Sequence, residues 1–284
     1  MIWYELTPFD TLFFRGAIPF DANLPASDIF FPPPPSVIKG AIWTAGRQNF
    51  SKAPTVKISA ILLKKDSNYY VQAPYSWFVE KSKEQEKDKK EIIVCAKEFQ
   101  EKDAICSANT PIPWVEEDNV KNIGSEWIDI TAMTNKQYKK EELFDCEDRT
   151  GIGIDYDKKS TEDGKLFNVR HIRLRQGVTI VIKIDDEYGL GENGILRLGG
   201  ERRICHYKKI EKPQLPKIDN GKYFVLLAPV LCTEELLQKV FAAKTFVVSG
   251  WDMRDKKHKA SQTWFCAGSV FTENISDQCV ALSQ

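Results

Sequence analysis

The chain has 284 residues, 42% apolar and 28% charged, which suits one large or two medium domains with a sizeable core. Forty Lys and Arg balance forty Asp and Glu, so binding of duplex nucleic acid by bulk charge alone is excluded, while local basic patches are not. Seven scattered cysteines with no C-x-x-C pair and three separated histidines argue for reduced thiols and against a zinc site, Cys205-His206 being the sole adjacency. The opening MIWYELTPFD lacks a basic region followed by an apolar core, so no signal peptide is expected. No apolar run approaches the ~18 residues of a membrane span. A cytoplasmic protein is the expectation.

Ile2–Leu6 reads as a first strand, followed by an exposed turn at Phe13-Phe14-Arg15-Gly16. The prolines at 32–35 form a rigid lead-in to a helix, with Ser36 as its N-cap. Lys39, Trp43 and Arg47 lie four apart and share one helix face; Val37, Ile38, Ala41, Ile42 and Ala45 form the opposite, core-facing stripe. An aromatic between two cations suits a polyanion with stacking groups, such as single-stranded RNA. A solvated helix face with one half-buried tryptophan has the same pattern.

Val56–Lys64 alternates Val56, Ile58, Ala60 and Leu62 onto one side, as in a half-buried strand. Asp66-Ser67-Asn68 turns it into Tyr69–Ala73, a hairpin partner. From Glu80 to Lys102 charge dominates, which predicts a solvated helix or mobile excursion. Residues 103–135 read as an irregular insertion, and Lys139–Phe144 as a short helix. Leu166–Arg175 and Val178–Asp185 read as strands joined by a tight turn at Gln176-Gly177. The two-residue period puts His171, Arg173 and Arg175 on one face as a basic stripe, suited to an anion or to protecting an exposed edge. Tyr223–Leu231 reads as a central strand, and Thr233 as the cap of a helix with Glu234 and Glu235 in its first turn. Phe246–Trp251 and Trp264–Phe271 close the chain. The element order predicts an α+β fold with helices on antiparallel sheets.

Gly189-Leu190-Gly191-Glu192-Asn193-Gly194 spells G-x-G-x-x-G after a strand. A dinucleotide site needs a helix opening directly from that loop, and only Ile195–Leu198 intervene before Gly199-Gly200. The glycine cluster through Arg203 reads better as a flexible loop whose backbone amides approach phosphates, with Arg197, Arg202 and Arg203 supplying charge. A plain hairpin loop is the other reading. Arg254, Lys256, Lys257, His258 and Lys259 form a cationic loop of similar promise.

Four segments resemble one known family. Pro8–Phe20 with Pro32–Ala45 resembles P-x-D-T-L-F-F-R-x-G/A-x-P-F followed by P-P-x-P-S and a helix of small residues. Arg149–Ile154 with Gly164–Phe167 resembles R-x-G-I-x-I leading to G-x-L-F. Gly199-Gly200-Glu201 lies in a segment resembling L-G-G-E, with Arg202 where many relatives have a small residue. Gly250–Phe271 resembles a terminal G-W-D, basic stretch and A-G-S-V. This is the pattern of the Cas5-like RAMP subunits of type III-B CRISPR effectors, the third Cmr subunit; residues 77–140 are unmatched.

The resemblance implies two ferredoxin-like (RRM-like) domains, residues 1–176 with an insertion around 77–140, and residues 177–284 with the glycine-rich loop. It implies a non-catalytic RNA-binding subunit that caps the foot of the complex and holds the 5′ repeat-derived tag of the CRISPR RNA. Its partners would be that RNA, the large polymerase-type subunit and a backbone RAMP subunit. No cofactor, metal, small-molecule substrate or membrane partner is expected. The expected RNA contacts are Phe14, Arg15, Lys39, Arg47, Arg173, Arg175, Gly199, Gly200, Arg202, Lys257 and Lys259. Two alternatives stand beside this reading: a processing endoribonuclease using His206, and a nucleotide-binding protein using Gly189–Gly194.

Overall fold

A computed structural model describes residues 1–15, 29–46, 55–81, 91–99, 111–155, 157–216, 221–252, 256–275, 277 and 279–282. Strand β1 (Ile2–Pro8) is followed by helix α1 (Pro35–Ala45), then by β2 (Ile58–Lys65) and β3 (Asn68–Gln72). Short strands come next: β4 (Trp77–Glu80), β5 (Glu91–Ile92), β6 (Val94–Cys95), β7 (Lys97–Glu98), β8 (Pro113–Trp114), β9 (Val120–Asn122) and β10 (Trp127–Asp129). Helix α2 (Ala132–Asn135) and β11 (Gln137–Tyr138) precede the long pair β12 (Phe144–Asp155) and β13 (Ser160–Leu174). Then come β14 (Val178–Ile184), β15 (Asn193–Arg197) and β16 (Ile204–Ile210). The last part holds β17 (Tyr223–Leu226), β18 (Val230–Leu231), α3 (Glu234–Leu237), β19 (Val240–Ala242), β20 (Thr245–Asp252), β21 (Lys257–Phe265), β22 (Val270–Phe271) and β23 (Cys279–Leu282).

The main sheet has the order β10-β3-β2-β14-β1-β16-β15. β14 pairs antiparallel with both β1 and β2. Those two strands are therefore parallel to each other, as the crossover through α1 requires. One face of this sheet, through Tyr4, Leu6, Ile180 and Ile182, packs with Ile38 and Ile42 of α1. The other face, through Trp3, Ala60, Leu62 and Val181, packs with Val225, Leu227 and Phe241. The latter belong to or flank a second sheet of order β19-β22-β17-β23. The main sheet is thus the middle of three layers, and the Ile61 N–H donates to the Leu227 carbonyl at 2.9 Å across one junction.

That middle position explains several departures from expectation. β2 is buried on both faces from Ile58 to Leu63. Val56 and Ile58 join the helix side while Ala60 and Leu62 join the other, because the register against β14 shifts between Lys183 and Ile184. The boundary expected at 176/177 falls just before β14, which lies between β2 and β1 at the centre of the main sheet. Periodicity assigns β14 to a strand but not to a neighbour. Gly177 does make the expected turn with φ of 76°, yet β13 pairs with β12 instead of β14.

α1 begins two residues early. Pro34 is its N-cap and Pro35 its first residue, where a missing N–H costs nothing and the ring presets φ; Ser36 lies inside. Thr233 caps α3 as expected, accepting from the Leu236 N–H at 3.4 Å. No helix forms over 139–144, where irregular backbone leads into β12. In the charged stretch from 80 to 102 the described residues form short strands, with no helix among them. Tyr223–Leu231 splits into β17 and β18, which join different sheets. No helix among the described residues is long and apolar enough to cross a membrane.

Candidate nucleic-acid interface

The segment after β1 crosses the long β12–β13 ribbon. Leu12 and Ile172 exchange two main-chain hydrogen bonds, each of 2.8 Å. This docking places Phe13 and Phe14 between the ribbon and the turn that joins β15 to β16. Both rings are buried, at 4% and 1% exposure, so the expected exposed turn is not what forms. Phe14 stacks on Phe31 with centroids 6.2 Å apart inside the core; its side chain is not available to RNA. Arg15 is exposed, and its main chain bridges to Ile29.

The glycines serve this same packing. The Gly200 N–H donates to the Phe13 carbonyl at 2.8 Å. A Cβ on Gly199 would stand 2.4 Å from that carbonyl oxygen, and φ there is +83°, a region glycine enters at no steric cost. Gly199 and Gly200 therefore close a β15–β16 hairpin onto Phe13, and the Gly200 amide is taken by the Phe13 carbonyl. The G-x-G-x-x-G stretch runs into β15, a strand, so no helix opens from the loop.

Around this junction charge is balanced locally. Arg203 donates to Asp10 and Glu201, both at 2.7 Å. Arg173 pairs with Glu147 at 2.7 Å and Asp10 at 3.4 Å. Arg175 pairs with Glu142 at 2.6 Å and Asp145 at 2.8 Å. The hydrogen bond from the Thr11 amide, with help from Arg203, holds the Asp10 carboxyl below its ordinary range. Bonds from Arg149 and Arg173 do the same to Glu147. The expected basic stripe is thus neutralised by β12: cross-strand acids face the arginines of β13, a pairing the antiparallel register imposes.

His171, expected on the same stripe, is fully buried. Its Nδ1 shares a 3.0 Å hydrogen bond with Thr11 Oγ1, and Phe13 stacks on its ring with centroids 5.3 Å apart at 21°. Its Nε2 lies 3.5 Å from Glu201 Oε2 without a hydrogen bond. Burial lowers its pKa, opposed chiefly by Glu201. Asp10, Thr11, Glu147 and Glu201 join this junction without being among the residues expected to touch RNA. Asp10, Thr11 and Glu201 fall inside recognisable motifs, and Glu147 does not.

The remaining expected contacts are dispersed. Lys39 is half-buried on α1, and Trp43 one turn on is exposed; Arg47 lies outside the described residues. Arg202 is exposed at the β15–β16 turn with φ of 54°. Lys257 and Lys259 are exposed on β21 in a separate three-stranded sheet, so part of the expected cationic loop is strand. His206 lies on β16 opposite Thr7 and Ile195, half-buried, and its ring has no hydrogen-bond partner among the described residues. Neighbouring Cys205 is fully buried, and burial pushes its thiol up to about 12.

The family model described as CRISPR-associated protein (Cas_Cmr3) matches residues 4–65 and 119–279. A curated relative, the CRISPR system CMR subunit Cmr3 of Saccharolobus solfataricus, is 30% identical over 157 residues. That alignment covers 49% of each protein, so the chain spans about half the length of the curated relative it matches. A chain in a cryo-EM structure of type III-B Cmr-beta with cognate target RNA and AMPPnP superposes with a TM-score of 0.62 at 16% identity, covering 95% of this chain and 85% of that one. A chain of the Csm3-Csm4 subcomplex of a type III-A interference complex superposes at 0.50 and 13% identity, covering 100% and 95%. At such identities the superpositions speak to fold alone. The family match takes in β1, α1, β2, the β12–β13 ribbon and most of the second sheet, and on it the chain belongs to the Cas_Cmr3 family of CRISPR-associated proteins.

Proposed function

We propose that this chain is the non-catalytic, RNA-binding subunit of a type III-B effector complex, capping its foot and holding the 5′ repeat-derived tag of the CRISPR RNA. It bridges the large polymerase-type subunit and the first backbone RAMP subunit. The observation that carries the reading is the family match over residues 4–65 and 119–279. The strand order β2-β14-β1-β16 around the α1 crossover supports a ferredoxin-like unit in which β15 stands where the second helix would be. A second such unit would lie in the sheets after residue 220.

RNA contacts then fall to cations outside the β12–β13 pairs: the exposed Arg15, Arg202, Lys257 and Lys259, and the half-buried Lys39. Arginine and lysine meet phosphates, while bases of splayed single strands stack on aromatics. The test is binding of a 5′-labelled CRISPR RNA against a scrambled-tag competitor at several salt concentrations, with the chain alone and in the co-expressed complex. Tag preference with intact RNA is expected, and joint alanine substitution of Lys39, Arg202, Lys257 and Lys259 lowers both affinity and salt slope, by about 0.7 per lost phosphate contact. Absence of tag preference in both forms overturns the reading. Discrete RNA products lost in His206→Ala would replace it with the nuclease.

A further inference from the structure

A cavity of about 240 Å³ opens between the segment preceding α1, the end of β3 and the start of β20. None of the residues expected from the sequence to touch RNA lines it. Its walls are aromatic: Phe30 and Phe246 stand with centroids 5.0 Å apart at 46°, joined by Phe31 and Tyr75. The Tyr75 hydroxyl is occupied by Ser125 Oγ at 2.7 Å. Gln72 is different. It lines the cavity, is only 8% exposed, and its side-chain amide makes no hydrogen bond among the described residues. Lys244, exposed, lines the cavity as well and has no ion pair among the described residues.

These features narrow the occupant. The volume lies below the ~300–1,000 Å³ of drug-sized and cofactor sites, so a dinucleotide does not fit. An aliphatic chain would shut water away from the Gln72 amide and offer it no partner. A planar ring with an adjacent donor and acceptor satisfies both walls and amide, as glutamine does with adenine N6 and N7. A cation nearby adds a place for phosphate.

We infer that the cavity takes a single nucleobase, its ring against the phenyl groups, its edge on the Gln72 amide and its phosphate near Lys244. The base comes from a single-stranded RNA or from a free mononucleotide; the RNA source rests on the subunit reading above, the pocket does not.

The experiment titrates the full chain, by calorimetry, with adenosine monophosphate and with a short oligoadenylate carrying one abasic site at each position in turn. The variants are Gln72→Leu and Phe246→Ala. Gln72→Leu keeps the volume and removes an unpartnered amide, so its Tm holds or rises; a merely structural glutamine would lower it. Support is an affinity loss of about tenfold in both variants, together with an abasic position that weakens the wild-type chain and leaves Gln72→Leu unaffected. Monophosphate binding that needs Gln72, with no RNA binding, sustains the pocket for free nucleotides and counts against the subunit reading. RNA bound equally by the wild-type chain and Gln72→Leu, with no monophosphate binding, overturns the pocket and leaves the subunit reading standing. Binding of neither ligand overturns the pocket.

Discussion

Two phenylalanine pairs, Phe13-Phe14 and Phe30-Phe31, look alike in the sequence and end in opposite circumstances. The first is sealed: Phe13 takes a glycine turn on its carbonyl and a histidine on its ring, and Phe14 sits at 1% exposure. The second is half-buried and borders a cavity with an unpartnered amide. The difference comes from what the rest of the chain brings. Gly199 and Gly200 let backbone approach within hydrogen-bond reach, whereas Gln72, Lys244 and Phe246 approach with side chains and leave space.

The comparison breaks first at Phe14. Phe14→Ala is expected to destabilise the chain by about 3–5 kcal/mol through a core cavity, while Phe30→Ala costs about 1–2 kcal/mol for partial burial. Urea denaturation measures both, and equal losses would erase the distinction between sealed and open. Gly199→Ala comes next at about 2–3 kcal/mol, combining a left-handed φ with a backbone clash. Gly200→Ala should cost less, because its nearest neighbour is the edge of the Phe13 ring at 2.6 Å, and a ring shifts more readily than a carbonyl.

The sealed side also carries a pH signature. Burial lowers the folded-state pKa of His171 below its ordinary 6.5, so the unfolded chain binds the proton first. The stability due to neutral His171 is therefore complete above about pH 6.5 and is lost as pH falls toward the folded value. The groups facing the ring are Glu201, Glu147, Arg149 and Arg203. Tm measured from pH 7 to 5 should decline in the wild-type chain and decline less in His171→Gln. Asp10 and Glu147, lowered by their hydrogen bonds, give up stability only in a second stage below about pH 4.5. The smallest effect belongs to Arg175→Gln. Exposed pairs are screened by solvent, and Tm should barely move at physiological salt.

Local signals were legible where neighbours in sequence are neighbours in space. The proline entry to α1, the Thr233 cap, the Asp66–Asn68 turn and the positive φ at Gly177 all follow from residues within a few positions. The failures share one cause, a partner supplied from far along the chain. Phe14 reads as exposed until β12–β13 and the 199–200 turn cover it. β2 reads as half-buried until a second sheet lands on its other face. Arg173 and Arg175 read as a basic stripe until the register of β12 sets acids opposite them. Gln72 carries no motif at all, and its interest arises only because Phe246 arrives beside it.

The seat of β14 between β1 and β2 has a consequence for how the molecule comes into being. During synthesis β1, α1 and β2 emerge with a vacant lane one strand wide, its N–H and C=O groups open on both sides. The strand that fills it is made on the order of ten seconds later at ordinary elongation rates. For that interval the nascent chain offers unpaired apolar edges on β1 and β2, so its yield in a cell is governed by what shields them as much as by the stability of the finished fold.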